Sequence, residues 1–230
     1  MKKTIIYIIT IILSLFIGGL TSYFIFAKPS STLKKLPKPE ITEGLRGEEF
    51  GIDKNINETT IDEYLNRSDS VYRGMRMLKD PGNYAAIGGD SYLSGFIAGF
   101  EVIPYPFLTN VSNIPEEVGE TYSGPTLFTE TPEGNFVANY EESLSILEAI
   151  FPKDKNIFLM CGGGGYANMT KKMLISLGWD ENKIYNVGSF WSYQGQNRVD
   201  VKYNIDGIDY YNFSIVPYYN IDFSMLHEVK

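Results

Sequence analysis

The one cysteine of the 230-residue chain heads the run Cys161-Gly162-Gly163-Gly164-Gly165-Tyr166-Ala167. Glycines permit positive φ and close backbone approach, so four in a row let several amide N–H groups turn to one side. The continuous apolar run Ile157-Phe158-Leu159-Met160 precedes them and reads as a strand buried on both faces. Beyond the loop, Met169, Met173, Leu174 and Leu177 recur at helical spacing until Gly178 caps the helix. A six-residue loop, 161–166, is therefore expected between a buried strand and a helix that starts near Ala167. Amide groups gathered at a helix start form an anion cradle. A cysteine at its edge is expected to have its thiol pKa lowered, and the thiolate suits attack on sulfur or storage of a persulfide. The plainer alternative is a flexible turn beside a small buried thiol. The position of Cys161 at the carboxyl end of a central strand, where open α/β sheets bind ligands, favours chemistry. A phosphate-binding loop would need Gly-Lys-Ser/Thr where Tyr166-Ala167-Asn168 stands. A dinucleotide fingerprint lacks its first βαβ unit, and cysteine-dependent phosphatase or arsenate chemistry would need a loop arginine to clamp the oxyanion.

The elements that hold this loop follow from pattern. Leu144, Leu147 and Ile150 recur at helical spacing behind Glu141 and Glu142, and Phe151-Pro152 ends that helix. Lys183-Ile184-Tyr185-Asn186-Val187 reads as the next strand. Helix, strand, loop, helix and strand in succession imply a parallel α/β sheet with right-handed crossovers. Upstream, Thr60-Ile61-Asp62-Glu63 has the form of a capping box, with a short helix through Leu65. Ser70 to Arg76 and Val102-Ile103 read as short strands. Residues 107–139, with Pro115, Pro125 and Pro132, are expected to hold little regular structure. In the tail, Val199, Val201, Tyr203 and Ile205 alternate with polar residues, and Asp206-Gly207 signals a hairpin into Ile208 and Tyr210.

Composition bounds the rest. A net charge of −8 argues against nucleic acid as a partner. One Cys and one His exclude a disulfide framework and a cysteine-rich zinc site, so no metal and no cofactor is expected. His227, three residues from the end, reads as a surface residue rather than a triad member. Residues 4–27 carry no charge after Lys2 and Lys3, long enough to span a bilayer. The expected organisation is a transmembrane anchor or signal over 1–27, a proline-containing linker over 28–55, an α/β domain over 56–194 and a hairpin extension over 195–230. Signal-anchor logic puts the domain on the extracytoplasmic side of a bacterial cell membrane.

Over 156–189 the chain resembles the rhodanese family: strand, Cys161 loop, helix, Gly178-Trp179, then Ile184-Tyr185-Asn186-Val187-Gly188. Shorter echoes lie upstream. Gly74-Met75-Arg76 stands near the family's Asp-x-Arg. Asp80-Pro81-Gly82-Asn83-Tyr84 resembles the segment that follows it, and Gly95-Phe96-Ile97-Ala98-Gly99-Phe100 its Gly-His-Ile-x-Gly-Ala. Gly74 replaces the usual Asp, Phe96 the usual His, and Tyr166 stands where the loop often has Arg. The resemblance implies a rhodanese-like fold, a central parallel sheet flanked by helices, with the hairpin added. It implies a sulfurtransferase that moves a sulfane sulfur through a Cys161 persulfide to a thiol or cyanide, from a donor of the thiosulfate or 3-mercaptopyruvate class. Gly162, Gly163, Gly164, Gly165, Tyr166 and Ala167 would bind substrate, and Arg73 and Arg76 would add positive potential. A non-catalytic binding or sensing module on the same fold, at the membrane, is the alternative.

Overall fold

A computed structural model describes residues 33–112 and 114–230. The expected membrane segment, 4–27, lies outside them. Among the described residues no helix is long and apolar enough to cross a membrane.

In chain order the elements are α1 (Leu45–Phe50), β1 (Ser70–Gly74), β2 (Gly95–Ile97), β3 (Glu101–Val102), α2 (Tyr105–Leu108), β4 (Phe128–Glu130) and β5 (Phe136–Ala138). Then come α3 (Ser143–Ile150), β6 (Asn156–Cys161), α4 (Gly165–Ser176), β7 (Ile184–Ser189), β8 (Arg198–Asp200), β9 (Lys202–Ile205) and β10 (Ile208–Tyr211). The central sheet is four-stranded and parallel, in the order β3-β1-β6-β7, with helices against it. The apolar run of β6 is buried from Ile157 to Cys161 because β6 is an inner strand and both faces of the sheet are covered there. On one face Tyr72, Phe158 and Tyr185 sit in register on adjacent strands and stack at 5.1 and 5.0 Å. Each such ring contributes roughly 1.5–3 kcal/mol by leaving water. On the other face α4 buries Ala167, Thr170, Met173 and Leu174. It ends as expected, with Gly178 at φ +92° and Trp179 N–H closing on the Leu174 carbonyl at 3.0 Å.

Several local expectations are corrected. Pro37–Lys230 form one compact unit, so the stretch expected as linker is folded from Pro37 onward. The cause is Asp53, 1% exposed, whose carboxylate accepts the N–H groups of Glu40, Asn55 and Ile56, with Ile52 buried beside it. The capping box does not form, because the Thr60 hydroxyl is engaged with Asn57 N–H and the Asn55 carbonyl, and only a 3₁₀ turn, Ile61–Tyr64, follows. Leu144 is exposed, since α3 turns Ser143, Ile146, Leu147 and Ile150 toward the core instead. The excursion over 107–139 contains an antiparallel pair, β4 with β5.

The tail hairpin forms as expected. Asp206 and Gly207 both take positive φ, which suits the twist of β9 and β10. The chain end then returns to the domain. Pro217 and Tyr219 hydrogen-bond Val102 of β3, and the Glu141 N–H donates to the His227 carbonyl. The His227 ring lies 2.5 Å from Glu142, which draws its pKa above the ordinary 6.5. A raised folded pKa means this contact favours the docked tail below about pH 6.5 and fades as pH rises through the higher value. By NMR the lone histidine is expected to titrate above 6.5, and Glu142→Gln to return it to the ordinary value. Unchanged titration in that variant would mean the tail is not docked in solution.

Candidate active site

The turn from β6 to α4 is tighter than the sequence implies. Helix α4 begins at Gly165, leaving Gly162, Gly163 and Gly164 to reverse the chain. Gly164 makes this possible at φ +106°, a conformation that strains other residues. Its N–H thereby donates to Cys161 Sγ at 3.0 Å, and the Tyr166 and Ala167 amides in the first turn lie near enough to pull the thiol pKa down. The loop amide of Gly164 is thus turned onto the cysteine sulfur itself rather than left open for an external anion.

The end of β7 braces the loop. A bulge lies where the β6–β7 register shifts past Leu159, with Gly188 at φ +99°. Ser189 then donates its hydroxyl to the Gly162 carbonyl at 2.5 Å, and buried Asn186 donates to the Gly164 carbonyl at 3.2 Å. Trp191 follows and lies flat on the loop. A Cβ on Gly162 would sit 2.4 Å from the indole, and one on Gly89, across the ring, 2.1 Å. The four glycines are therefore not equivalent. Gly162 makes room for Trp191, Gly164 supplies the positive φ, Gly163 is in looser contact with the indole, and a Cβ on Gly165 would meet nothing within 4 Å.

A cavity of about 830 Å³ opens at this loop. Cys161, Gly162, Gly163, Gly165 and Tyr166 line it, whereas Gly164 and Ala167 lie behind and act through their amides. Arg76 reaches the cavity from beyond the end of β1. It is 7% exposed, donates through Nη2 to the carbonyls of Tyr92 and Asp90, and stacks 5.6 Å from the Trp191 ring. Its Nη1 and the indole Nε1 of Trp191 are buried donors with no acceptor among the described residues. Each orphaned donor costs about 1–3 kcal/mol unless something fills it. Arg73 is a correction. It is held in an ion pair with Glu101 at 3.2 Å and by the Ile150 carbonyl, and it does not line the cavity.

The expectation for the thiol is also corrected. Burial is the dominant influence and pushes Cys161 up from its ordinary 9.0. The amides of Ala167, Gly164 and Tyr166 and the Arg76 charge oppose that rise without overcoming it. The cradle therefore makes an anion on this sulfur tolerable in a place where water cannot help. Asp80, Tyr84 and Trp191 were not foreseen at the site. The sequence signals were the segment Asp80-Pro81-Gly82-Asn83-Tyr84 and the rule that loops at the carboxyl ends of parallel strands gather round ligands.

Comparison with known proteins adds no relative: no family model matches the chain, and no curated protein or solved structure matches it.

Proposed function

We propose that this domain is a rhodanese-like sulfurtransferase. Cys161 thiolate attacks the outer sulfur of an anionic sulfane donor, the donor's S–S or C–S bond breaks, and the sulfur stays as a Cys161 persulfide. A thiol or cyanide then removes it. The observation that carries this reading is the Gly164 N–H donated to Cys161 Sγ, with the Tyr166 and Ala167 amides also favouring the sulfur's anion. Uncharged donors aimed at a polarisable sulfur stabilise the anions on both sides of the transfer and need no reorganisation. Arg76 supplies the cation that the loop lacks, so an anionic donor is supported although Tyr166 stands where arginine would be expected. The reading keeps the domain outside the cytoplasm of a bacterial cell, held by segment 4–27, on the strength of the sequence alone.

The burial of Cys161, 4% exposed, favours a second reading, a binding or sensing module that holds an anion without turnover. Mass spectrometry separates the two. After incubation with thiosulfate or 3-mercaptopyruvate, the domain is expected to gain one sulfur at Cys161, and Cys161→Ser to gain none. No adduct with either donor would sink sulfurtransfer and leave the binding module.

A further inference from the structure

The cavity holds a string of hydroxyl and carboxyl groups that the cradle does not use. Tyr84 and Tyr166 hydroxyls lie 2.5 Å apart, and Tyr166 donates to Asp80 Oδ2 at 3.1 Å. The Gly82 N–H fixes the other oxygen, Oδ1, at 3.0 Å. With Tyr166 donating to Asp80, the Tyr84 proton goes either to Tyr166 or directly to the same carboxylate, so both paths end at Asp80. The free end of the string is the oxygen of Tyr84. Tyr84, Tyr166, Asp80 and Cys161 all line the one cavity, and Tyr84 feels the charge of Cys161 across it. No imidazole is available here, because the lone histidine sits in the tail against Glu142.

We propose that Tyr84, Tyr166 and Asp80 form a proton relay that takes the proton of an acceptor thiol and returns it to Cys161. This rests on Cys161 as the sulfur-carrying atom. An acceptor thiol R–SH gives its proton to the Tyr84 oxygen, Tyr84 passes its own to Tyr166, and Tyr166 passes its own to Asp80. The thiolate R–S⁻ attacks the outer sulfur of the Cys161 persulfide. The new R–S bond to sulfur forms as the Cys161 S–S bond breaks, leaving a Cys161 thiolate. The proton runs back from Asp80 to that sulfur. The net change is R–SH plus Cys161–S–S⁻ giving R–S–S⁻ plus Cys161–SH, with no other oxidant or reductant. Tyr84 is the group that meets the acceptor, and Tyr166 and Asp80 act through it.

The surroundings suit this task. Burial pushes the Asp80 carboxyl above its ordinary 3.8, which makes it the better base, and pushes Cys161 up, so the returned proton is held. Burial also keeps both tyrosines protonated, as carriers rather than anions. The charged and titratable groups that share the cavity with the string are Arg76 and Asp90 from the segment after β1, Cys161, Tyr105 from α2, Glu49 from α1, Glu130 from β4 and Lys172 from α4. Arg76 opposes the rise in Asp80 and leaves the string one buried cation beside one buried acid.

The test uses a disulfide that needs no sulfur donor. Cys161 is converted to its S-methylthio form with methyl methanethiosulfonate and then released by a small thiol or by a trialkylphosphine. The thiol must lose a proton; the phosphine has none to lose. Asp80→Asn, Tyr166→Phe and Tyr84→Phe are expected to slow release by thiol about 100-fold and release by phosphine little. In the same variants the thiol rate is expected to rise about tenfold per pH unit, following free thiolate, while wild type stays nearly flat. An equal fall with both reagents, or an unchanged thiol rate, would overturn the relay. Tyr166→Phe keeps the ring packing, so it reports even where Asp80→Asn fails to fold. A relay signature in a protein that never gains a sulfur would leave the relay and remove sulfurtransfer. Sulfur loading with an unchanged thiol-to-phosphine ratio would do the reverse.

Discussion

Gly162→Ala is expected to cost about 1–3 kcal/mol of stability and to abolish Cys161 chemistry, while Gly165→Ala, three residues on, leaves both intact. The new methyl at 162 would sit 2.4 Å from Cζ2 and 2.6 Å from Cε2 of Trp191. An indole is rigid, and this one is confined again at Gly89, while the Trp191 backbone N–H donates to the Gly162 carbonyl at 3.2 Å. The ring cannot give way without leaving the loop. Its departure would open the site and shift the Trp191 emission to the red. At Gly165 there is open space and helical backbone, so alanine there gains up to about 1 kcal/mol of helix propensity. Gly164→Ala makes a third case. Its Cβ would find only ordinary contacts at 3.4 Å, but φ +106° is strained for alanine, and relaxing it would swing the N–H off the sulfur. Thermal melts and iodoacetamide labelling of Cys161 across the three variants give the check. Equal effects at 162 and 165 would mean the loop is a plain flexible turn.

Arg76→Met is expected to lower turnover with thiosulfate by about 100-fold and to leave melting nearly unchanged. Among the described residues the buried guanidinium makes no ion pair and its Nη1 has no acceptor, with Asp80 and Asp90 near enough only to favour its charge. Methionine loses the hydrogen bonds to Tyr92 and Asp90 but also removes a buried charge, and these changes oppose each other. The sign at the cysteine is definite. Arg76 pulls the Cys161 pKa down, so its removal lets burial push the thiol higher. Iodoacetamide labelling at neutral pH is then expected to slow, with its pH profile moved to higher pH. Arg73→Met serves as the contrast, since Arg73 belongs to an ion pair away from the cavity and its loss leaves the labelling profile in place. A labelling rate equal to wild type in Arg76→Met would remove the cation from the site.

Legibility followed the range of the forces involved. Strands β6 and β7, helix α4, its Gly178 cap and the Asp206-Gly207 turn were readable because each is specified by its own residues: buried runs, helical spacing, positive φ. The packed segment from Pro37 was not, because prolines report only what the chain avoids, and Asp53 finds its partners through the fold. Thr60 carried a true local signal, but its hydroxyl is taken by the preceding turn through Asn57 N–H and the Asn55 carbonyl. At the site, Cys161 and its glycines were visible as a motif. Which of two arginines would serve was not. Arg73 lies within β1 and Arg76 two residues past its end, and only the sheet decides that the second reaches the cavity. Asp80 and Tyr84 could be quoted as a pattern, but their bond to Tyr166 spans more than eighty positions.

The return of the tail to β3 has a further consequence. β3 is an outer strand of the parallel sheet, and its backbone would face solvent as a row of open donors and acceptors. Val102 N–H instead donates to the Pro217 carbonyl, and Tyr219 N–H donates back to the Val102 carbonyl. The last residues of the chain thus act as a guard rail against a second molecule adding its own strand there. Pro217 suits the post, since it accepts a hydrogen bond and offers no N–H to a newcomer. Protection of this edge is in that sense written into the returning tail rather than into β3 itself.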